Sequence, residues 1–153
     1  MGDKNHYQLE TILVPVKGTP ADEDVIRQAA LSAKRSRALV YVVHVLVVKQ
    51  ELPLTAELPD EIQNGEIVLG AAEKLVREYG VEVETSILQA RSAAVAIVEE
   101  ATERKADLIM MAVTYRSRLG EFNMGRTVPY ILKNAPCRVW MYRDELSKVE
   151  NVQ

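Results

Sequence analysis

The sequence predicts an α/β domain built on a mostly parallel sheet, and three observations carry that prediction. Short apolar runs alternate with stretches of helical period, in the order strand, helix, strand, helix, strand, helix, strand, helix, strand. Most of the runs are apolar on both alternating faces, the pattern of strands covered by helices on either side. The chain also places start and stop residues where this scheme needs them, notably Thr19-Pro20, Ser92 and Gly80. Strand–helix–strand units of this kind cross over with a right hand.

Thr11 to Val16, TILVPV, is β-branched and apolar throughout, and Pro15 lies near its end, where a missing N–H costs least. Lys17-Gly18-Thr19-Pro20 turns the chain. Thr19 reads as an N-cap, Pro20 as the first helical residue and Asp22 as an acidic third position. The first helix carries Val25, Ile26, Ala29, Ala30 and Ala33 on one face and closes in the basic run Lys34 to Arg37. Ala38 to Val48 is the second strand. Lys49 to Pro59, with Pro53 and Pro59, is a loop. The second helix runs from about Asp60 to Tyr79, with an apolar stripe of Ile67, Val68, Ala71, Ala72, Leu75, Val76 and Tyr79, and Gly80 ends it.

Val81 to Leu88 alternates apolar and polar residues, so it belongs at or near an edge of the sheet. Ser92 caps a third helix, Ala93 to Arg104. Asp107 to Val113 is the fourth strand, and a polar loop with Arg116, Arg118 and Arg126 follows it. The fourth helix is expected over Met124 to Lys133, with Met124, Val128, Ile131 and Leu132 inward. Pro129, which lacks an N–H, requires the start of that helix to lie close by. Cys137 to Tyr142 is the fifth strand. Residues 1–10 read as a flexible start, 11–143 as one domain and 144–153 as a polar tail.

At 153 residues the chain can bury a core without disulfides or metals. Its net charge of -3 argues against nucleic acid as a partner. One cysteine, Cys137, excludes an internal disulfide and a cysteine-cluster metal site, and it reads as a small buried hydrophobe. The start lacks a signal-peptide core, and the longest apolar run is too short to span a bilayer. A cytoplasmic protein with no membrane insertion is the expectation. His44 reads as a core histidine, His6 lies in the flexible start, and no histidine metal site is expected. Glu99 with Glu100, and Asp22 with Asp24, read as charge on helix surfaces. A nucleophile elbow, a Walker loop and a dinucleotide fingerprint are all missing, so no catalytic residue is assigned and no enzyme is expected.

The stretches ILVPVKGTPAD, VVHV, ADLIMMA and MGRTVPYILKNAPCRVWMYR, in that order, cover nearly the whole chain from Thr11 to Arg143. In this combination the sequence resembles the universal stress protein family. The resemblance implies a single five-stranded parallel sheet of order 3-2-1-4-5 with helices on both faces. This is an adenine-nucleotide alpha-hydrolase-like, Rossmann-like fold with a nucleotide cleft between the first and fourth strands. Nucleotide-binding members carry G-x-x-G, nine residues, then G-S/T. Here the first glycine falls on Ala112 and the second on Tyr115. The third is Gly125, and the following position is Arg126, with Thr127 one place later. The family's acidic residue after the first strand falls on Lys17, while Pro15 and Val45 match as they stand.

These departures trade one chemistry for another. Tyr115 replaces a residue without a side chain, and Lys17 removes a carboxylate that would serve a metal or a sugar hydroxyl. Lys17, Arg116, Arg118 and Arg126 add positive charge at the same mouth, where arginine can hold phosphate through its planar fork. The expected site is an anion held by the N–H groups of Arg126 and Thr127, the Thr127 hydroxyl, and Arg116 or Arg118, with a base toward Val45 and Pro15. Two readings of function stay open. One is a non-enzymatic stress-response domain that binds a phosphate-bearing ligand, an adenine nucleotide such as AMP, ADP or ATP. The other is a member that has lost the ligand and acts as a dimeric protein-interaction or transporter-regulatory module. In either case a homodimer through the last strand, with Val139, Trp140 and Met141, is expected from its edge position and apolar character.

Overall fold

A computed structural model describes residues 8–113, 116–118, 121–123 and 125–145. The elements are β1 (Thr11–Pro15), α1 (Pro20–Ser36), β2 (Leu39–Val47), α2 (Pro59–Glu78), β3 (Val83–Ala90), α3 (Ala93–Glu103), β4 (Leu108–Ala112), β5 (Arg116–Arg118), β6 (Glu121–Asn123), α4 (Thr127–Asn134) and β7 (Arg138–Tyr142). The main sheet has the order β3-β2-β1-β4-β7, and every pairing in it is parallel. This is the expected 3-2-1-4-5 arrangement, with β7 as its fifth member.

Each strand sends alternate side chains to opposite faces, and two cores result. Ile12, Val14, Val40, Val42 and Leu108 pack with Val25, Ala29 and Ala33 of α1 and with Leu69, Ala72 and Val76 of α2. Leu13, Tyr41, Val43, Ile109 and Met111 pack on the other face with Ala94, Ile97 and Ala101 of α3 and Ile131 of α4. Ile12, Leu13 and Ile109 have no exposed surface at all, as expected of central strands covered on both sides. Among the described residues β3 pairs with β2 alone, as the outer strand of the sheet, which explains its half-wet pattern.

Several expectations change. The stretch between β4 and α4 is not a plain loop: β5 and β6 pair antiparallel, Arg116 with Asn123 and Arg118 with Glu121. The described strands therefore number seven, and not all are parallel. Two residues, Leu119-Gly120, separate the pair in sequence, a spacing that favours a hairpin. Three-residue strands of mostly polar composition carry no hydrophobic alternation to reveal them.

The buried stripe of α2 is Gly65, Leu69, Ala72 and Val76, while Ile67 is 65% exposed. Gly65 sets this rotation. A β-carbon there would lie 2.9 Å from His44 Cδ2, so the helix meets the sheet at its glycine and turns Ile67 outward. The fourth helix begins at Thr127 rather than Met124, and Leu132 is exposed; Met124 lies outside the described residues. With Val128 and Ile131 already facing inward, Leu132 falls beyond the contact stripe of an eight-residue helix. Cys137 is half-buried, not fully buried, and desolvation raises its thiol pKa.

Candidate functional site

The chain leaves β1 at Pro15, continues its sheet pairing through Val16 N–H to Val43 O at 2.9 Å, and turns at Lys17-Gly18. Gly18 has φ +93°, a backbone that side chains rarely adopt, and a β-carbon there would lie 2.9 Å from Val68 Cγ2. This turn is held together by one side chain. Asp22 Oδ2 accepts from the backbone N–H groups of Lys17, Gly18 and Thr19 at 2.8, 2.7 and 2.9 Å. The surface role expected for Asp22 is thereby overturned, since it is only 6% exposed. Its third position in α1 points the carboxylate back over the turn, and the three N–H groups replace the water it gives up.

Beside this turn lies a cleft at the carboxyl ends of β1 and β4. There the crossovers diverge, β2 and β3 to one side and β7 to the other, which is where open α/β sheets bind ligands. Val43, Val45 and Met111 give it an apolar wall, and Ala93 and Ile97 of α3 close the back. Lys17, Thr19, Asp22 and Thr127 supply the polar rim. The space free of protein atoms is about 470 Å³, part of it open to solvent.

Of the residues singled out in the sequence, Pro15, Lys17, Val45, Ala112 and Thr127 come together on this cleft. Gly125 and Arg126 form the turn into α4, Gly125 at φ +69° and Arg126 as the N-cap. Neither is among the described residues that bound the cleft. Tyr115 lies outside the described residues, as do the side chains of Arg116 and Arg118, whose backbone forms β5. Ala112 ends β4 and is not among the positive-φ residues, so the fold does not demand glycine at that point. The cleft residues not foreseen as such include Asp22, Thr19, Val43, Met111 and the wall from α3. The Thr19-x-x-Asp22 spacing did signal a cap, but the burial of Asp22 beside the cleft shows only in three dimensions.

Nearby polar groups are engaged in structure. His44 is buried and its Nδ1 lies 2.9 Å from Val16 O, so Nδ1 carries the hydrogen, because a carbonyl only accepts. Tyr41 Oη donates to Glu100 Oε1 at 2.7 Å, which draws Glu100 into the structure rather than leaving it as surface charge. Tyr142 Oη donates to Asp24 Oδ2 at 3.1 Å and so ties β7 to the first turns of α1. Burial, then this bond, pushes the Tyr142 hydroxyl up to about 12. The described residues contain no group of three or more histidine, cysteine, aspartate or glutamate side chains that could hold a metal ion.

The profile of the universal stress protein family matches residues 8–143. A universal stress protein of Methanocaldococcus jannaschii is 31% identical over 134 residues, which cover 84% of this chain and 78% of that one. The chain belongs to the universal stress protein family. Among solved structures, the universal stress protein of Archaeoglobus fulgidus superposes with a TM-score of 0.73 at 26% identity, covering 86% of this chain and 97% of the other. The structure of that organism's protein in complex with dAMP superposes with a TM-score of 0.70 at 24% identity, covering 86% and 96%. The family's Rossmann-like sheet is the sheet described above. As for membranes, no helix among the described residues is long and apolar enough to cross one.

Proposed function

We propose that this protein is a non-enzymatic regulatory domain of the stress response that binds an adenine nucleotide in the cleft beyond β1 and β4. The observation that carries the reading is the division of the cleft, with an apolar wall of Val43, Val45 and Met111 below a rim that includes Lys17 and Thr127. A flat base suits the wall, and a phosphate suits the rim. Thr127 is the first residue of α4, where N–H groups lack helical acceptors and the helix dipole is positive. The dAMP complex of the Archaeoglobus fulgidus relative lends support from the family. In this reading Arg116, Arg118 and Arg126 add charge from the segment between β4 and α4, and the protein works in the cytoplasm.

Calorimetric titration with AMP, ADP, ATP and inorganic phosphate tests it. At least one nucleotide binds the native protein, and more weakly as salt rises, because the phosphate contacts lie at a solvated rim. A charge-assisted hydrogen bond contributes about 1.5–3 kcal/mol, so the Arg116→Ala, Arg118→Ala double variant loses at least roughly ten-fold in affinity. No binding of any nucleotide at millimolar concentration would refute the reading.

A second reading is carried by β7. It is the outer strand of the sheet, and Trp140 on it is 51% exposed. An edge with an uncovered tryptophan suits a partner strand, and we assign it to a homodimer. If the cleft takes no ligand, this protein-contact surface becomes the main function, as in a regulatory module that acts by docking.

A further inference from the structure

β3 bounds the sheet on the side opposite β7, and it lacks the usual guards of an edge strand. A strand residue points its N–H and C=O to one side, and its neighbours point theirs to the other. Val40 N–H donates to Glu82 O at 2.9 Å and Val48 N–H to Ala90 O at 2.8 Å, so the even-numbered residues turn their backbone to β2. Val83, Thr85, Ile87 and Gln89 therefore turn theirs to the open side, where no described strand lies. Edges of this kind are commonly protected by lysine, proline or a bulge. VETSILQA has neither lysine nor proline, and its register with β2 runs without an inserted residue. Its one charge, Glu84, is paired with Arg104. The two ends of the strand differ in sign. Glu82 and Glu84 are exposed at its start, and Arg91 and Lys49 are exposed at its finish. The Arg91 guanidinium is bonded to the carbonyls of Val48 and Lys49.

We propose that β3 is a self-association edge, on which β3 of a second copy of this chain pairs antiparallel about a two-fold axis at Ser86. In that register Val83 meets Gln89 of the second copy and Thr85 meets its Ile87, so every outward N–H finds an outward C=O. A slip of one residue would set outward groups against inward ones. Charge selects the direction. Antiparallel pairing brings Glu82 and Glu84 of each copy toward Arg91 and Lys49 of the other, whereas parallel pairing would stack acid on acid. Glu84 itself stands across from Leu88, and the Thr85–Ile87 pair is β-branched on both strands, which suits a sheet. This surface is separate from the cleft and from β7. It carries no large exposed hydrophobic side chain, while β7 carries Trp140, so it associates more weakly and at higher protein concentration. Engaging both edges extends the sheet from copy to copy, but engaging β3 alone stops at a pair.

The Trp140→Glu variant, in which the β7 contact is removed, isolates this edge for the test. Sedimentation equilibrium over a roughly hundred-fold range of protein concentration is expected to show it passing from monomer to dimer and no further. Adding Thr85→Pro abolishes that dimer, because the lost N–H points outward and β3 keeps its bonds to β2. Adding Glu82→Lys puts an ammonium beside Arg91 of the second copy, and the two-fold repeats the change, so dimerisation weakens by roughly ten-fold. Amide exchange gives an independent readout. The amides of Val83, Thr85, Ile87 and Gln89 exchange fast in dilute protein and slowly in concentrated protein, while those of Glu84, Ser86 and Leu88 are slow in both. A Trp140→Glu variant that stays monomeric throughout, or one whose dimer ignores both added substitutions, overturns the proposal. So does exchange at the outward amides that does not change with concentration. If Thr85→Pro does not fold, Glu82→Lys and the exchange rates decide.

Discussion

Tyr142 shows how one hydroxyl can link the edge of the sheet to the rim of the cleft. It ends β7, its carbonyl accepts from Val113 N–H at 2.7 Å, and its hydroxyl donates to Asp24, two residues from Asp22. The pKa of that hydroxyl is raised from 10.0 to about 12 in the folded protein. Below pH 10 the group is protonated in both the folded and unfolded chains, and its contribution to stability is fully present. Between pH 10 and 12 the unfolded chain releases the proton first, so stability falls as pH rises through this window. Urea unfolding followed from about pH 9 to pH 12 therefore shows a steeper alkaline loss for the native protein than for Tyr142→Phe. Parallel curves would show that the bond to Asp24 is not maintained in solution.

At the scale of an element, α2 is instructive because two of its glycines ask opposite things of an alanine. A β-carbon at Gly70 would meet nothing within 4 Å, so Gly70→Ala gains helix propensity and stabilises by about 0.5–1 kcal/mol. Gly65 faces His44 Cδ2 at 2.9 Å and Ile87 Cδ1 at 3.2 Å. The His44 ring is held by Val16 O and cannot swing aside cheaply. Gly65→Ala therefore pushes α2 off the sheet, and the strain, about 1–3 kcal/mol, exceeds the propensity gain. Thermal or urea melts of the two variants should move in opposite directions. A shift of the same sign in both would mean that α2 sits farther from β2 than described. The same close approach explains why the outward-facing Ile67 belongs to the solvent side of the helix despite its apolar character.

For the whole molecule, β7 is an outer strand that a partner would cover. Val139 and Met141 pack toward the α3–α4 face, so Trp140 is turned to the other face and stands half in solvent. The proposed homodimer buries it. Because the residue is exposed in the single chain, Trp140→Glu leaves the core intact and acts on association alone. Light scattering is expected to give a dimer for the native protein and a folded monomer for the variant. A native monomer, or a dimer indifferent to this substitution, would move the partner surface elsewhere.

The sequence by itself determined the strand and helix count of the main sheet, the parallel pairing, and most helix ends. These follow from local periodicity and from caps such as Ser92, whose Oγ accepts from Val95 N–H at 3.3 Å. Strand order came from the family resemblance, because pairing partners such as Ile12 and Leu108 lie far apart in the chain. Part of the site was legible in the same way: Pro15, Lys17, Val45, Ala112 and Thr127 matched motif positions and do meet at one cleft. The tertiary structure alone decided the rest. It showed that Gly65 rotates α2, that β5 and β6 pair, and that Asp22 is buried beside the cleft with one oxygen spent on the turn. A side chain's type and spacing are local properties, but burial and the direction of a lone pair depend on elements that meet only once the chain has folded.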